Sequence, residues 1–205
     1  DKPLIDYIQA EITKGGDLYL RLDGAWFRAT SDYVASVDAQ LAAEVPDLTK
    51  DLALPQWDTR THPVELDYNT WVAGTNGWLL QDQNEVQYSG YQSVEPCDIL
   101  TPEGQWIHLK DASGSQSVSA LVGQLRGAAY LLQNDSKFRA EMAKRYEDKF
   151  GVDELMTKTA AFIMAFARAP HLTIFGDMLV AKVNTLDCGR RVRAFGFGFG
   201  VCKVA

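Results

Sequence analysis

Hydrophobic positions recur along this chain with two periods, and the change from one to the other marks its elements. From Val118 to Asn134 the apolar residues Val118, Leu121, Val122, Leu125, Ala129 and Leu132 fall three and four apart, predicting an amphipathic helix with one buried stripe. Lys137–Phe150 keeps a helical pattern but is heavily charged, so one side faces water, with Ser136 as the expected cap. Thr159–Arg168 is near-continuously apolar, the composition of a strand covered on both faces of a parallel or mixed sheet. Helical spacing returns over Phe175–Ala194, with Met178, Leu179, Val183 and Leu186 inward. Phe195–Val204 alternates phenylalanine with Gly196, Gly198 and Gly200, which predicts a last strand with one aromatic and one bare face.

The N-terminal part reads differently. Pro3–Thr13 places Leu4, Ile5, Ile8 and Ile12 on one side of a short helix that Gly15-Gly16 ends. Leu18–Leu22 and Ala25–Ala29 flank Asp23-Gly24, a dipeptide that favours a two-residue hairpin turn. Ser31 is the expected cap of a helix over Asp32–Val45, which Pro46 stops. Residues 46–63, punctuated by Pro46, Pro55 and Pro63, read as a connector. The expected organisation is therefore an N-terminal helix and hairpin subdomain over residues 1–60 and a main domain over residues 61–205. The main domain opens with a short helix, Val64–Ala73, expected to end at Gly74, then a strand over Gly77–Asp82 and a possible second at Val86–Tyr88.

The densest chemistry lies in V-E-P-C-D-I-L-T-P-E-G-Q-W-I-H-L-K, residues 94–110. Two strands, Val94–Leu100 and Gln105–Lys110, are joined by T-P-E-G, in which Pro and Gly each fix a backbone angle. Residues two apart on a strand face the same side, so His108 and Lys110 are expected to project together, and pairing across the turn brings Asp98 alongside. From the short helix onward the order is α-β-β-β-α-α-β-α-β. That predicts an α/β (α+β) domain with a mixed central sheet flanked by helices.

Composition narrows the function classes. The chain has 205 residues, 46% hydrophobic, enough for one sizeable domain or two small ones. A net charge of −7 repels nucleic-acid phosphate unless basic residues gather locally, and it argues against a membrane-surface protein. Cys97, Cys188 and Cys202 lack metal-ligand spacing and read as buried, reduced thiols, which suits the cytoplasm. The longest apolar run, Ala160–Ala167, is too short to span a bilayer, and no signal-peptide pattern is read. A start at Asp1 fits a fragment of a longer protein or a processed product.

The Asp98, His108 and Lys110 arrangement resembles the hairpin of the PD-(D/E)XK, or restriction-endonuclease-like, nucleases, which carry Asp and then Glu-x-Lys at about this spacing. The core of that group is α-β-β-β-α-β, and the order read here contains it. The resemblance implies a phosphodiester hydrolase with Mg2+ or Mn2+, in which Asp98 and His108 bind the ion and Lys110 positions water and offsets charge on the phosphate. His108 departs from the Glu of the motif: imidazole prefers softer ions and brings no negative charge. The implied partner is nucleic acid, DNA before RNA, in a bacterial defence setting. The alternative is a catalytically inactive relative serving as a recognition or assembly module.

A second resemblance rests on Tyr68-Asn69, Trp78–Asp82 (W-L-L-Q-D), Glu95–Leu100 (E-P-C-D-I-L), Ile107–Lys110 (I-H-L-K) and Ser115–Ser119 with Gln124. These residues are similar to a sporadically distributed, poorly characterised bacterial protein family in which E-x-C-D and I-H-V-K recur, so His108 is its ordinary residue. The resemblance covers roughly residues 60–205; Ala120 stands where the family tends to carry His. Members are commonly longer, so further domains are expected partners of this one.

Other candidates each have two readings. Glu65 and Asp67 could complete a metal site from the short helix, or simply suit its dipole. Tyr68 and Asn69 could touch substrate or lock that helix to the sheet. Gln124 could support the site or be a satisfied core glutamine, and Ser119, at a helix start, could bind an anion or cap. Arg126 and the Arg190, Arg191 and Arg193 cluster could meet nucleic acid, or the cluster could answer its helix dipole. Glu95, three residues from Asp98, points mostly to the other face and is a minor candidate. No Walker loop, zinc pair, Ser-His-Asp signature or Rossmann fingerprint is present.

Overall fold

A computed structural model describes residues 10–22, 24–88, 92–111, 114–152, 155, 160–167, 173–176 and 178–204, with backbone only for Leu22. Three strands open it: β1 (Ala10–Lys14), β2 (Asp17–Leu22) and β3 (Ala25–Ala29), antiparallel in that order. The expected helix over Pro3–Thr13 is corrected where it is described, because Ala10–Lys14 is a strand, while residues 3–9 lie outside the described part. The reason is Gly15-Gly16. Both glycines take positive φ, 61° and 86°, and close a two-residue turn that pairs Lys14 with Asp17. The dipeptide is a hairpin turn and not a helix stop.

Helix α1 (Ser31–Glu44) follows, capped by Thr30 and not Ser31: the Thr30 hydroxyl accepts from the Tyr33 N–H at 3.2 Å. The connector holds a single helical turn, α2 (Thr49–Leu52), and pairs with the far end of the chain. There the Leu48 N–H donates to the Val201 carbonyl at 2.7 Å, and the Val201 N–H donates to that of Pro46 at 2.9 Å.

Helix α3 (Glu65–Asn76) runs on through Gly74 and stops at Gly77, whose φ of 70° lets the chain reverse. After it come β4 (Leu79–Leu80), β5 (Val86–Gln87), β6 (Ser93–Val94), β7 (Ile99–Leu100) and β8 (Gln105–Asp111). The expected strand over Val94–Leu100 is two pieces, since Ser93–Val94 pairs with Val86–Gln87 and only Ile99–Leu100 joins the main sheet. Helices α4 (Ser115–Asn134) and α5 (Ser136–Phe150) lead to β9 (Ala161–Ala167), and α6 (Leu179–Ala194) leads to β10 (Gly198–Val204). The cap of α5 is Asp135, whose carboxylate accepts from the Phe138 N–H at 2.8 Å.

The main sheet is mixed, in the order β10-β9-β8-β7-β4. Strand β7 is antiparallel to both neighbours, and β8, β9 and β10 are parallel. Helices cover both faces. Tyr68, Val72 and Ala73 of α3 pack with Ile99, Ile107, Leu109, Ile163 and Ala165 on one face. On the other, Leu121 and Leu125 of α4, Phe138 of α5 and Leu186 of α6 pack with Trp106, Phe162, Met164 and Phe166. This is an α+β fold, and β9, buried on both faces, explains the unbroken apolar run. In β10 the bare face has a partner: a side chain on Gly200 would meet Leu48 Cδ1 at 2.6 Å.

Candidate metal centre

The topology gathers four segments at one end of the main sheet. The turn at Gly77 lays α3 antiparallel to β4, so the first turn of the helix returns beside the residue that follows the strand. Strand β7 runs opposite to β4 and β8, so its approach meets their ends. Glu65 begins α3, Asp82 lies just past β4, Asp98 just before β7, and Lys110 near the end of β8.

Oxygen atoms of Glu65, Asp82 and Asp98 all lie within 4.8 Å of one another. Lys110 Nζ stands 2.7 Å from Glu65 Oε1. Asp98 is 6% exposed, and its Oδ2 accepts the Leu109 N–H at 2.5 Å. The Gln81 and Asp82 N–H groups both donate to the Asp98 carbonyl, at 2.7 and 3.0 Å, locking the two acid-bearing segments together. Asn69, fully buried, donates Nδ2 to Asp82 Oδ2 at 2.7 Å, while its Oδ1 has no partner.

Four carboxylates, Glu65, Asp82, Glu95 and the buried Asp98, around the amine of Lys110 leave an excess of negative charge at this corner. Burial above all, helped by a hydrogen bond shared with Glu95 and by the charges of Glu95 and Glu65, raises the Asp98 acid to about 9, against the backbone hydrogen bond that favours its ionised form. Burial also raises Glu65, with Lys110 pulling the other way. Burial alone would lower Lys110, but its bond to Glu65 and the charges of Asp98 and Glu95 carry it above its ordinary value. Without a cation, Asp98 therefore holds its proton at neutral pH and Lys110 stays an ammonium.

The donor set suits a hard divalent ion. Ligands of an octahedral ion at roughly 2.1 Å lie about 3–4 Å apart, compatible with three carboxylate oxygens in this arrangement. Three carboxylate oxygens with no sulfur or imidazole could hold a hard divalent ion such as Mg2+, Mn2+ or Ca2+ in preference to a softer metal.

Of the residues singled out from the sequence, Asp98, Lys110, Glu65 and Asn69 come together here. His108 does not join them. It is 2% exposed, and its ring stacks on Phe162 of β9, 6.2 Å between centroids and 24° between planes. Burial lowers its basicity to about 3, and Nε2 has no partner among the described residues. Asp67 and Gln124 are exposed. Tyr68 is buried, donating its hydroxyl to the Pro55 carbonyl at 2.6 Å and stacking on Trp57. Ser119 accepts from Asn184 Nδ2 at 3.0 Å, and Arg126 pairs with Asp187 at 3.3 Å. The arginine cluster is tied to acids as well: Arg190 and Arg193 pair with Glu44, and Arg191 with Asp187.

Sequence reasoning passed over Asp82 and underweighted Glu95. It also missed Arg145, whose guanidinium reaches Gln81 Oε1 at 2.8 Å and the Asn84 and Glu85 carbonyls at 2.9 Å each. From α5, 60 to 64 residues away in sequence, Arg145 clamps the loop that carries Asp82. The available signal was Q-D at the end of an apolar strand, two polar groups where the chain should still be buried.

The family of unknown function DUF6119 matches residues 1–205, the whole chain, including the first sixty residues, where the resemblance read from sequence motifs was least clear. No curated protein and no solved structure matches this chain.

Proposed function

We propose that the chain, which belongs to the DUF6119 family, is a metal-dependent phosphodiester hydrolase acting on nucleic acid, DNA in the first instance. The observation that carries this reading is the set of converging oxygens from half-buried Glu65 and Asp82 and buried Asp98 beside the ammonium of Lys110. A bound divalent ion would polarise the phosphate and lower the pKa of a water. Glu65, Asp82 and Asp98 would hold it, and Asp98 would release its proton on binding. Lys110, fully protonated and anchored by Glu65, is suited to offset charge on the phosphate in the transition state and not to act as a base. Asn69 and Arg145 position Asp82.

The order α3, β4, β7, β8, α4, β9, interrupted by the β5-β6 pair and by α5, supports a restriction-endonuclease-like core, with Asp98 just before the second core strand and Lys110 on the third. The metal set departs from that pattern. The Glu position of Glu-x-Lys is His108, buried in the core, and Asp82 supplies the missing carboxylate from beyond the first strand.

A second reading is a binding module without catalysis. Its support is the pairing of Lys110 with Glu65 and of every arginine in the α6 cluster with an acid, which leaves little free positive charge near those sites. Calorimetric titration with Mg2+ and Mn2+ separates the two, followed by a cleavage assay on DNA and RNA. Binding that Asp98→Ala abolishes, with cleavage that Lys110→Ala reduces by about a thousandfold or more, is the expected outcome. Wild-type protein that binds neither ion and cuts neither polymer would leave the binding module.

A further inference from the structure

The N-terminal sheet has an inner and an outer face, fixed by its register. Ala10 pairs with Arg21, Ile12 with Tyr19 and Lys14 with Asp17; Tyr19 and Arg21 pair in turn with Arg28 and Trp26. Directly paired residues share a face, so Ile12, Lys14, Asp17, Tyr19, Arg21, Trp26 and Arg28 all lie on one side. The opposite side is the inner one: Leu18, Leu20 and Ala29 join the hydrophobic core, and Glu11 accepts the Val180 N–H at 2.8 Å.

The outer face carries a chemistry unlike the rest of the molecule. It carries Lys14, Arg21 and Arg28 beside one carboxylate, Asp17, and the Arg28–Asp17 pair, 3.5 Å apart and exposed on both sides, is of the weak kind that a phosphate can exchange, on a chain whose net charge is −7. It also presents aromatic rings to solvent. Trp26 is 46% exposed, Ile12 is equally exposed, and Tyr19 is half-buried beside them. An open recess of about 510 Å³ lies between Ile12, Lys14, Gly15, Asp17, Tyr19 and Trp26. The Arg21 guanidinium sits over the Trp26 ring, 6.0 Å from its centre, and holds it in place.

We propose that this face binds single-stranded nucleic acid, with bases stacked on Trp26 and Tyr19 and phosphates met by Lys14 and Arg28. Stacking on aromatic rings needs bases freed from a duplex, and a row of cations beside the rings follows the backbone. Charge complementarity is what selects this partner over an apolar protein surface. The platform uses none of the residues of the acidic corner and stands whether or not that corner hydrolyses anything.

The test uses the full 205-residue chain and a fluorescein-labelled 12-nucleotide oligothymidylate, with anisotropy read in EDTA so that no cleavage intervenes. The expected result is binding that weakens with added salt and is stronger than for a duplex of the same length. Trp26→Ala should weaken it about tenfold or more, and Trp26→Phe should keep most of it. Lys14→Ala with Arg28→Ala, both on exposed positions, should lower the salt slope by about one to two. Asp98→Asn should bind as the wild type does, so that a failed metal site and a failed platform give different results. No binding by the wild type, equal affinity of Trp26→Ala and wild type, or a salt slope unchanged in the double variant would overturn the proposal.

Discussion

Asp98 and His108 flank the last paired rung of one hairpin, Ile99 with Ile107: Asp98 just precedes it and His108 just follows it. Both are almost wholly buried, and both are ionisable. The regions they enter are nonetheless opposites. Around Asp98 are Glu65, Asp82, Glu95 and an ammonium, a polar corner closed by two backbone donors to its carbonyl. Around His108 is an aromatic layer, with Phe162 on its face and Trp106 two residues back on the same strand. Strand alternation determines which side a residue takes, but the neighbours arriving from other elements decide what its chemistry can be. Buried charge in the first region is left incompletely answered, as a cation site requires. In the second it is simply suppressed.

The largest effect expected from this contrast is on catalysis. Asp98→Ala or Lys110→Ala should remove metal-dependent hydrolysis, a loss of about a thousandfold or more, whereas His108→Leu should stay within a few-fold of the wild type. Rates on one oligonucleotide substrate at saturating Mn2+ decide it. A His108→Leu protein as dead as Asp98→Ala, yet still folded by circular dichroism, would mean that the imidazole serves the site after all.

Much of this corner could be read in advance, and the parts that could not have physical reasons. Asp98 and Lys110 were visible because a hairpin constrains its own spacing. Glu65 was visible only as one of two acids on a helix turn, because nothing local says which one faces the sheet. Asp82 and Arg145 were hidden: one follows a strand of two residues, and the other acts from a helix more than sixty positions away. Such contacts depend on tertiary packing, which periodicity does not encode. His108 misled because the motif supplies a role for that position, while the ring it stacks on belongs to β9. At the fold level, the buried run Ala161–Ala167 was legible from apolar density alone, whereas Gly15-Gly16 allowed both a helix stop and a hairpin turn until β2 was there to pair with β1.

The next effect concerns stability against pH without metal. An unfolded Asp98 ionises near 3.8, and the folded one near 9. Between these values the unfolded chain has lost a proton that the folded chain keeps. The contribution of this group is therefore complete below about pH 4 and is lost as pH rises through 9. Asp98→Asn removes the titration and should stabilise the metal-free protein at pH 8 by several kcal/mol, about 1.4 kcal/mol for each pH unit above the unfolded value, with little change at pH 4. Urea denaturation in EDTA at the two pH values measures it. Adding Mg2+ should reverse the order at pH 8, because the ion stabilises only the wild-type carboxylate. A variant equally stable to the wild type at pH 8 in EDTA would mean that the acid is already ionised there, and the excess negative charge would need another explanation.

His108 gives the smallest effect and the opposite sign. Unfolded, it titrates near 6.5; folded, its burial holds it near 3. Its contribution is complete above pH 6.5, and it falls as the pH drops toward 3, because the unfolded chain takes up a proton that the folded chain refuses. His108→Leu abolishes that penalty and should stabilise the protein by about 1–2 kcal/mol at pH 5 relative to its effect at pH 8. At pH 8 the change should be near zero, since leucine also relieves the unpartnered Nε2 and fills a similar volume against Phe162. Equal shifts at both pH values would show that the imidazole titrates normally in the fold, and the separation between the two sides of the hairpin would collapse. A gain confined to the acid side would place His108 in the core and leave the chemistry to the corner that Asp98 shares with Lys110.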